Sequence, residues 1–417
     1  MTEADLLETL KLNELLVYFQ PIYSMRTGDV IGLEALLRPI GPVGEMVSPG
    51  IVFDRADQDG VLDDLERAAR ELSLAAFAAQ RGTVRGEDDA PLILFLNFSA
   101  ALLDVDQLHP DRIRESVGRH NLPVESVALE IVEAGVTSHD DLSSFVQRNR
   151  ESGFLIILDD FGTGDSNLER IARVRPDVIK IDRSIVSGAA ADPTKRMVLQ
   201  ATTRLATTIG ALSLAVGVER YEDLLVCAEE SVDLVQGFLL SRPVPTIAAA
   251  CRRDRPGVIE ALDRADADLR SRVLSTNERE VSVASAVDAL VESLSGKDEE
   301  ELEGILAAAL GSSHEMECAW ILDGAGIQRS RMILAPDRRG ERLGGLTRPL
   351  PKGSLHRLRE YFYRPQTLGR ERDISRHYLS MVYGRICRTW FQEFSGGDGE
   401  KRCLCVDIPE ISPSPAG

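Results

Sequence analysis

The sequence predicts a TIM-like (β/α)8 barrel with one antiparallel strand, followed by a helical connector and a smaller C-terminal α/β domain. Three observations carry that reading. Seven short apolar runs recur in the N-terminal part: Ile31–Glu34, Leu92–Asn97, Val127–Glu130, Leu155–Asp160, Val178–Lys180, Leu212–Val216 and Leu234–Gln236. Such continuous runs mark parallel strands buried on both faces. Longer amphipathic stretches alternate with them, among them Leu62–Arg81, Asp111–His120, Asp140–Ser152, Pro193–Thr208 and Glu222–Glu230. Repeated strand–helix units over about 250 residues favour a closed barrel over an open sheet. Finally, the pattern breaks after Ser241-Arg-Pro-Val-Pro245.

The first strands differ from the rest. Leu16–Tyr23 and Val30–Leu37 are separated only by Ser24-Met-Arg-Thr-Gly-Asp29, a short Gly-Asp turn between β-rich runs, which reads as a hairpin. The barrel is therefore expected to open with one reversed strand and to occupy residues 1–250. Residues 251–312 are rich in Ala, Leu, Glu and Asp and read as a helical connector. Their acidic run Asp298-Glu-Glu-Glu-Leu-Glu303 suits the first turn of a helix. Residues 313–410 turn β-like, as in Cys318–Leu322 and Lys401–Asp407, and read as a small sensor-like domain. The tail 411–417, Ile-Ser-Pro-Ser-Pro-Ala-Gly, is expected to be disordered.

The 417 residues suffice for two or three domains with ample core, and 28% charged with 43% apolar residues is ordinary for a globular protein. A formal net charge of -19 opposes non-specific binding to nucleic acid or anionic membrane. It leaves room for a small anion neutralised locally by metal ions or arginines. The N-terminus lacks the basic and apolar segments of a secretion signal, and no apolar stretch reaches the length of a membrane span. Six widely spaced cysteines read as reduced thiols. Together these features place the expected location in the cytoplasm.

The chemistry lies where the apolar runs stop. Glu34, Asn97, Glu130, Asp159, Asp160, Lys180 and Gln236 stand at those stops. Chemistry on barrels of this kind collects at strand ends, so a ring of carboxylates, amides and a lysine there suggests a metal-dependent phosphoryl site. The ordered set Gln20-Pro-Ile, Glu34-Ala-Leu-Leu-Arg38, Asn97-Phe-Ser, Glu130-Ile-Val-Glu133, Asp159-Asp-Phe-Gly-Thr-Gly164, Lys180-Ile-Asp182 and Gln236-Gly-Phe closely resembles the EAL-domain family of cyclic di-GMP phosphodiesterases and receptors over residues 8–250.

That resemblance implies roles. Glu34, Asn97, Glu130 and Asp159 would bind metal, Asp160 would join at a second metal, and Lys180 would lie near the attacking water. Arg38 would contact a ligand phosphate, Gln236 would help hold ligand or water, and Glu133 would hydrogen-bond the loop after Asp160. Oxygen ligands of this kind suit Mg²⁺ or Mn²⁺, and a pair of such ions serves in-line displacement at phosphorus. The resemblance also implies cyclic di-GMP as partner and a homodimer through the barrel. The C-terminal region resembles PAS-like or Cache-like sensor modules and would receive an unknown signal.

One position departs from the pattern. Ala215-Val216-Gly-Val-Glu219 carries Val216 where hydrolysing family members carry a glutamate, implied to be metal ligand and general base. Valine has no lone pair for either task, and a lost general base costs about 10²–10⁴-fold. The expectation is a catalytically impaired cyclic di-GMP receptor. The alternatives are a working phosphodiesterase producing linear pGpG, with Glu219 or a neighbour as base, and a nucleotide-independent interaction scaffold. Elsewhere the bland reading prevails. Cys403-x-Cys405 places two thiols on one strand face, read as buried reduced cysteines rather than a zinc site. Arginines from Arg357 to Arg388 interleave with Tyr361, Phe362, Tyr363, Tyr378 and Trp390. These read as a solvated face rather than a nucleic-acid surface.

Overall fold

The computed structural model describes residues 2–83, 92–99, 111–132, 139–162, 168–252, 256–313, 315–336, 348–380, 382 and 384–409. The chain forms two compact units, Met1–Arg270 and Ser271–Gly417. In the first, β1 (Glu14–Ser24), β2 (Val30–Ile40), β3 (Ile93–Ser99), β4 (Val127–Val132), β5 (Leu155–Phe161), β6 (Val178–Ile181), β7 (Leu212–Val216) and β8 (Leu234–Gln236) close into a barrel in sequence order. β1 runs antiparallel to both β2 and β8, and the remaining neighbours are parallel. The expected reversed strand is thus β1, made by a hairpin whose Gly28 takes φ +75°, a conformation that glycine adopts at little cost.

Alternation along the strands sorts side chains inward and outward. Ile22, Phe95, Ala128, Ile157, Val178, Leu214 and Leu234, from seven strands, form one buried cluster inside the barrel. β2 contributes Gly32 at this level. A Cβ there would lie 2.6 Å from the Phe95 ring and 2.9 Å from the Ile93 carbonyl oxygen, so the bare glycine makes room for Phe95. The outward residues Leu33, Leu94, Leu129, Ile131, Ile156, Leu158 and Ile179 pack with Leu74, Phe77, Leu142 and Phe145 of the surrounding helices.

The second unit is an antiparallel sheet of β9 (Cys318–Asp323), β10 (Ile333–Leu334), β11 (Arg372–Ile374), β12 (Tyr378–Leu379), β13 (Ile386–Ser395) and β14 (Lys401–Pro409). Its order is β10-β9-β14-β13-β11, with β12 also paired to β13. One face packs against Val283, Val287, Leu290 and Leu294 of the helix Pro256–Leu294 and Leu302, Leu306 and Leu310 of the helix Glu299–Ser312. Residues 271–312, read from sequence as connector, therefore supply core to this unit. Helical composition alone does not reveal which stripe finds a sheet to cover. Asp298 and Glu301 form a capping box at the second helix, as the acidic run suggested.

The opposite face gathers Trp320, Tyr361, Phe362 and Phe391 with Cys318, Cys387, Cys403 and Cys405. All four cysteines are buried, and none is in a disulfide. Burial pushes the Cys403 thiol up to about 12 and raises Cys318 and Cys405 as well, so these three thiols stay protonated and poorly reactive. Among the described residues no helix is long and apolar enough to cross a membrane. The tail 411–417 lies outside the described residues.

Two glycines give opposite tests of this packing. A Cβ on Gly237 would lie 1.9 Å from the Val218 carbonyl oxygen, whereas one on Gly304 in the helix Glu299–Ser312 meets nothing within 4 Å. Gly237→Ala is expected to lower the barrel's stability by about 2 kcal/mol or more. Gly304→Ala is expected to raise stability by about 0.5–1 kcal/mol. Urea titrations of both variants read the two signs directly.

Candidate functional site at the barrel mouth

One step of two residues along each strand leads from the apolar interior to a polar layer. Ile22 gives way to Gln20 on the reversed β1, Gly32 to Glu34, Phe95 to Asn97, and Ala128 to Glu130. Ile157 then leads to Asp159, Val178 to Lys180, Leu214 to Val216, and Leu234 to Gln236. Pairing sets Gln20 opposite Glu34, Asn97 beside Glu130 and Val216 beside Gln236, while the stagger of the other strands sets Glu34 beside Phe95, Glu130 beside Ile157 and Lys180 beside Leu214. Seven members of the layer are polar. Val216 is the eighth, packed against the apolar cluster below.

Lys180 occupies the centre of the charge. Its Nζ lies 3.2 Å from Glu34 Oε1, 2.9 Å from Glu130 Oε1 and 3.3 Å from Asp159 Oδ1. Gln236 Nε2 donates to Glu34 Oε2 at 2.7 Å. All of these side chains are buried. Burial disfavours the ammonium, yet Glu130, Glu34 and Asp159 outweigh it and hold Lys180 well above the usual lysine range. For Glu34 burial opposes ionisation, but Lys180 and Gln236 prevail and lower its pKa. Glu130 goes the other way. Its complete burial pushes the carboxyl well above the ordinary range against the pull of Lys180, and Glu34 and Asp159 add to the rise.

The layer has capacity left over for a cation. Neither oxygen of Glu130 meets a hydrogen-bond donor in good geometry, and Gln236 Oε1 also lacks a partner. The Lys180 ammonium is at ion-pair distance from Glu130 but off the line of a hydrogen bond. Among the described residues no three acids, cysteines or histidines form a ready-made metal cage, for it is the lysine that stands among the carboxylates. The donor set is nonetheless that of a hard divalent ion, and the orphaned oxygens of Glu130 are compatible with one.

The other expected residues fall around this layer. Asp160 is exposed one step beyond it, with φ 54° and its N–H donating to Asp159 Oδ1 at 2.9 Å. Desolvation, then the charges of Asp159 and Asp182, raise its pKa. Arg38 is half-buried farther along β2, its guanidinium 5.7 Å from the Tyr18 ring centroid and donating to the Leu37 carbonyl at 2.8 Å. Glu133 and the loop 163–167 lie outside the described residues. Asp182 caps a short helix by accepting from the Ser184 N–H, and Glu219 pairs with Arg183 at 3.1 Å. Gln20, quoted in the motif but given no role from sequence, completes the layer. Its register opposite Glu34 was the available signal, and its amide donates to the Ser241 carbonyl at 3.1 Å.

The central ion pairs can be tested without any ligand. In chelator-treated protein, Lys180→Met leaves three carboxylates without their cation and is expected to cost about 3–5 kcal/mol in urea unfolding. Adding Glu130→Gln should recover part of that loss, because it removes the most deeply buried of the stranded charges. Equal stability of Lys180→Met and the parent would contradict this account.

Comparison with known proteins bears on the layer's origin. The EAL domain family matches residues 3–243. NbdA of Pseudomonas aeruginosa, named a cyclic di-GMP phosphodiesterase, is 30% identical over 252 residues, covering 59% of this chain and 31% of that protein. PdeG of Escherichia coli, named a probable cyclic di-GMP phosphodiesterase, is 30% identical over 240 residues, covering 56% of this chain and 45% of that protein. The chain thus spans less than half the length of these curated relatives. The Bacillus subtilis YkuI protein, solved with c-di-GMP and calcium, shares the fold with a TM-score of 0.77. The likeness covers 98% of this chain and 99% of that one at 22% identity. With the match running through every strand of the barrel, the chain belongs to the EAL-domain family.

Proposed function

We propose that this chain is a receptor for cyclic di-GMP that binds at the barrel mouth and does not efficiently hydrolyse it. The observation that carries this reading is Val216, the one apolar member of the eight-residue layer, beside Gln236. A water approaching from that side finds no carboxylate on β7 to take its proton. Glu219 is three residues away and paired with Arg183, so it does not fill the gap. Glu34, Asn97, Glu130, Asp159 and Asp160 would hold the metal, Mg²⁺ or Mn²⁺. When bound, such an ion neutralises phosphoryl oxygens and acidifies water. Lys180 keeps one positive charge fixed in the layer, and Arg38 offers a guanidinium fork to a ligand phosphate.

The names of NbdA and PdeG favour a second reading, an active phosphodiesterase releasing pGpG. In either case the C-terminal unit serves as the input or output module, coupled to the barrel through a difference in affinity between two states.

The readings separate on one preparation. With Mn²⁺ present, calorimetry is expected to show binding of cyclic di-GMP, while chromatography shows little pGpG. Val216→Glu is expected to raise product formation by at least about 10²-fold, the scale of a restored general base. Rapid hydrolysis by the parent chain would establish the enzyme instead. Failure of both binding and hydrolysis would indicate the interaction scaffold.

A further inference from the structure

The segment Arg348–Leu379 carries eight basic and three acidic residues, opposite in sign to a chain of net charge -19. Most of this charge is matched locally. Arg364 and Arg376 lie 3.7 and 3.6 Å from Glu360, and Arg364 and Arg370 lie 3.5 and 3.3 Å from Asp373. Arg372 is 3.9 Å from Asp288, and Lys352 is 3.2 Å from Glu303. Arg357 and Arg359 are exposed and have no acidic partner among the described residues. Between them stands Leu358, 85% exposed, with Leu355 nearby in sequence at 54%.

The backbone presents these residues as a fixed tip. The Arg359 N–H donates to the His356 carbonyl at 2.8 Å, a turn with Arg357 and Leu358 at its central positions. Its base is anchored: His356 is buried, with Nδ1 2.6 Å from the Tyr361 hydroxyl and Nε2 2.9 Å from Gln328 Oε1. The His356 N–H donates to the Gly326 carbonyl at 2.8 Å. Leu358 is therefore held out in solvent by a braced turn, and little conformational freedom remains to be lost on binding.

We propose that this turn docks the protein on an anionic phospholipid surface, with Leu358 entering the interface and Arg357 and Arg359 meeting lipid phosphates. A small soluble anion needs a concave site, and a tip this exposed encloses nothing. A bilayer needs no matching groove. It accepts a convex apolar tip at the headgroup level and supplies phosphates on both sides of it. Guanidinium suits that contact through its planar fork. The acidic remainder of the chain opposes close approach, so the attachment is weak, reversible and sensitive to salt.

The test is sedimentation of the full chain with vesicles of phosphatidylcholine containing about 30% phosphatidylglycerol, against pure phosphatidylcholine. Wild-type protein is expected to pellet with the anionic vesicles at low salt and to be released when the Debye length is shortened to about 5 Å. Leu358→Ser, and separately the double change Arg357→Gln with Arg359→Gln, are expected to lower the bound fraction about tenfold each, with thermal melts unchanged. The proposal is overturned by absence of wild-type binding, by equal binding to neutral vesicles, or by folded variants that pellet like wild type.

Discussion

In the mouth of the barrel a single ammonium faces three carboxylates in a space that water scarcely enters. Removing such charges from water costs several kcal/mol per ion, and only close pairing offsets it. Lys180 on β6 therefore ties together Glu34 on β2, Glu130 on β4 and Asp159 on β5. The apolar cluster beneath sets the height at which these groups emerge, and Gly32 keeps β2 close enough for Phe95 to fill the interior. The polar layer is held by packing from below and by charge from within.

In the proposed reading, one side chain separates a receptor from a hydrolase. On the neighbouring strand β8, Gln236 pairs with Val216, so the β7 backbone could present an acid beside that amide. Substituting valine preserves strand pairing, since a β-branched residue fits a strand well. What it removes is a lone pair and a negative charge. A receptor can thus retain the whole architecture of a hydrolase. On that proposal the difference lies in one functional group rather than in any change of fold.

The second unit follows another logic. Its sheet buries apolar residues on both faces: aliphatic side chains under two helices, and aromatic residues with four buried cysteines on the other. The arginines that look like a single block in sequence are mostly matched to acids in space. A solvated face was the reading from sequence, and it describes most of them. Arg357 and Arg359 are the exception, and they flank the most exposed leucine among the described residues of the unit.

The sequence by itself determined the barrel, its reversed first strand and the identity of nearly every group at its mouth. Period-2 strand patterning puts alternate residues on opposite faces, so the ends of the apolar runs had to face one space once the sheet closed. The same reasoning showed Val216 as a gap. Tertiary structure decided what those groups do to one another. That Lys180 stands among the carboxylates, that both oxygens of Glu130 keep spare capacity and that Glu219 is committed to Arg183 are consequences of distances between strands far apart in the chain. So is the membership of residues 271–312 in the second unit. Periodicity fixes the face on which a side chain lies, whereas the partner across the space is set only by how the strands and helices pack.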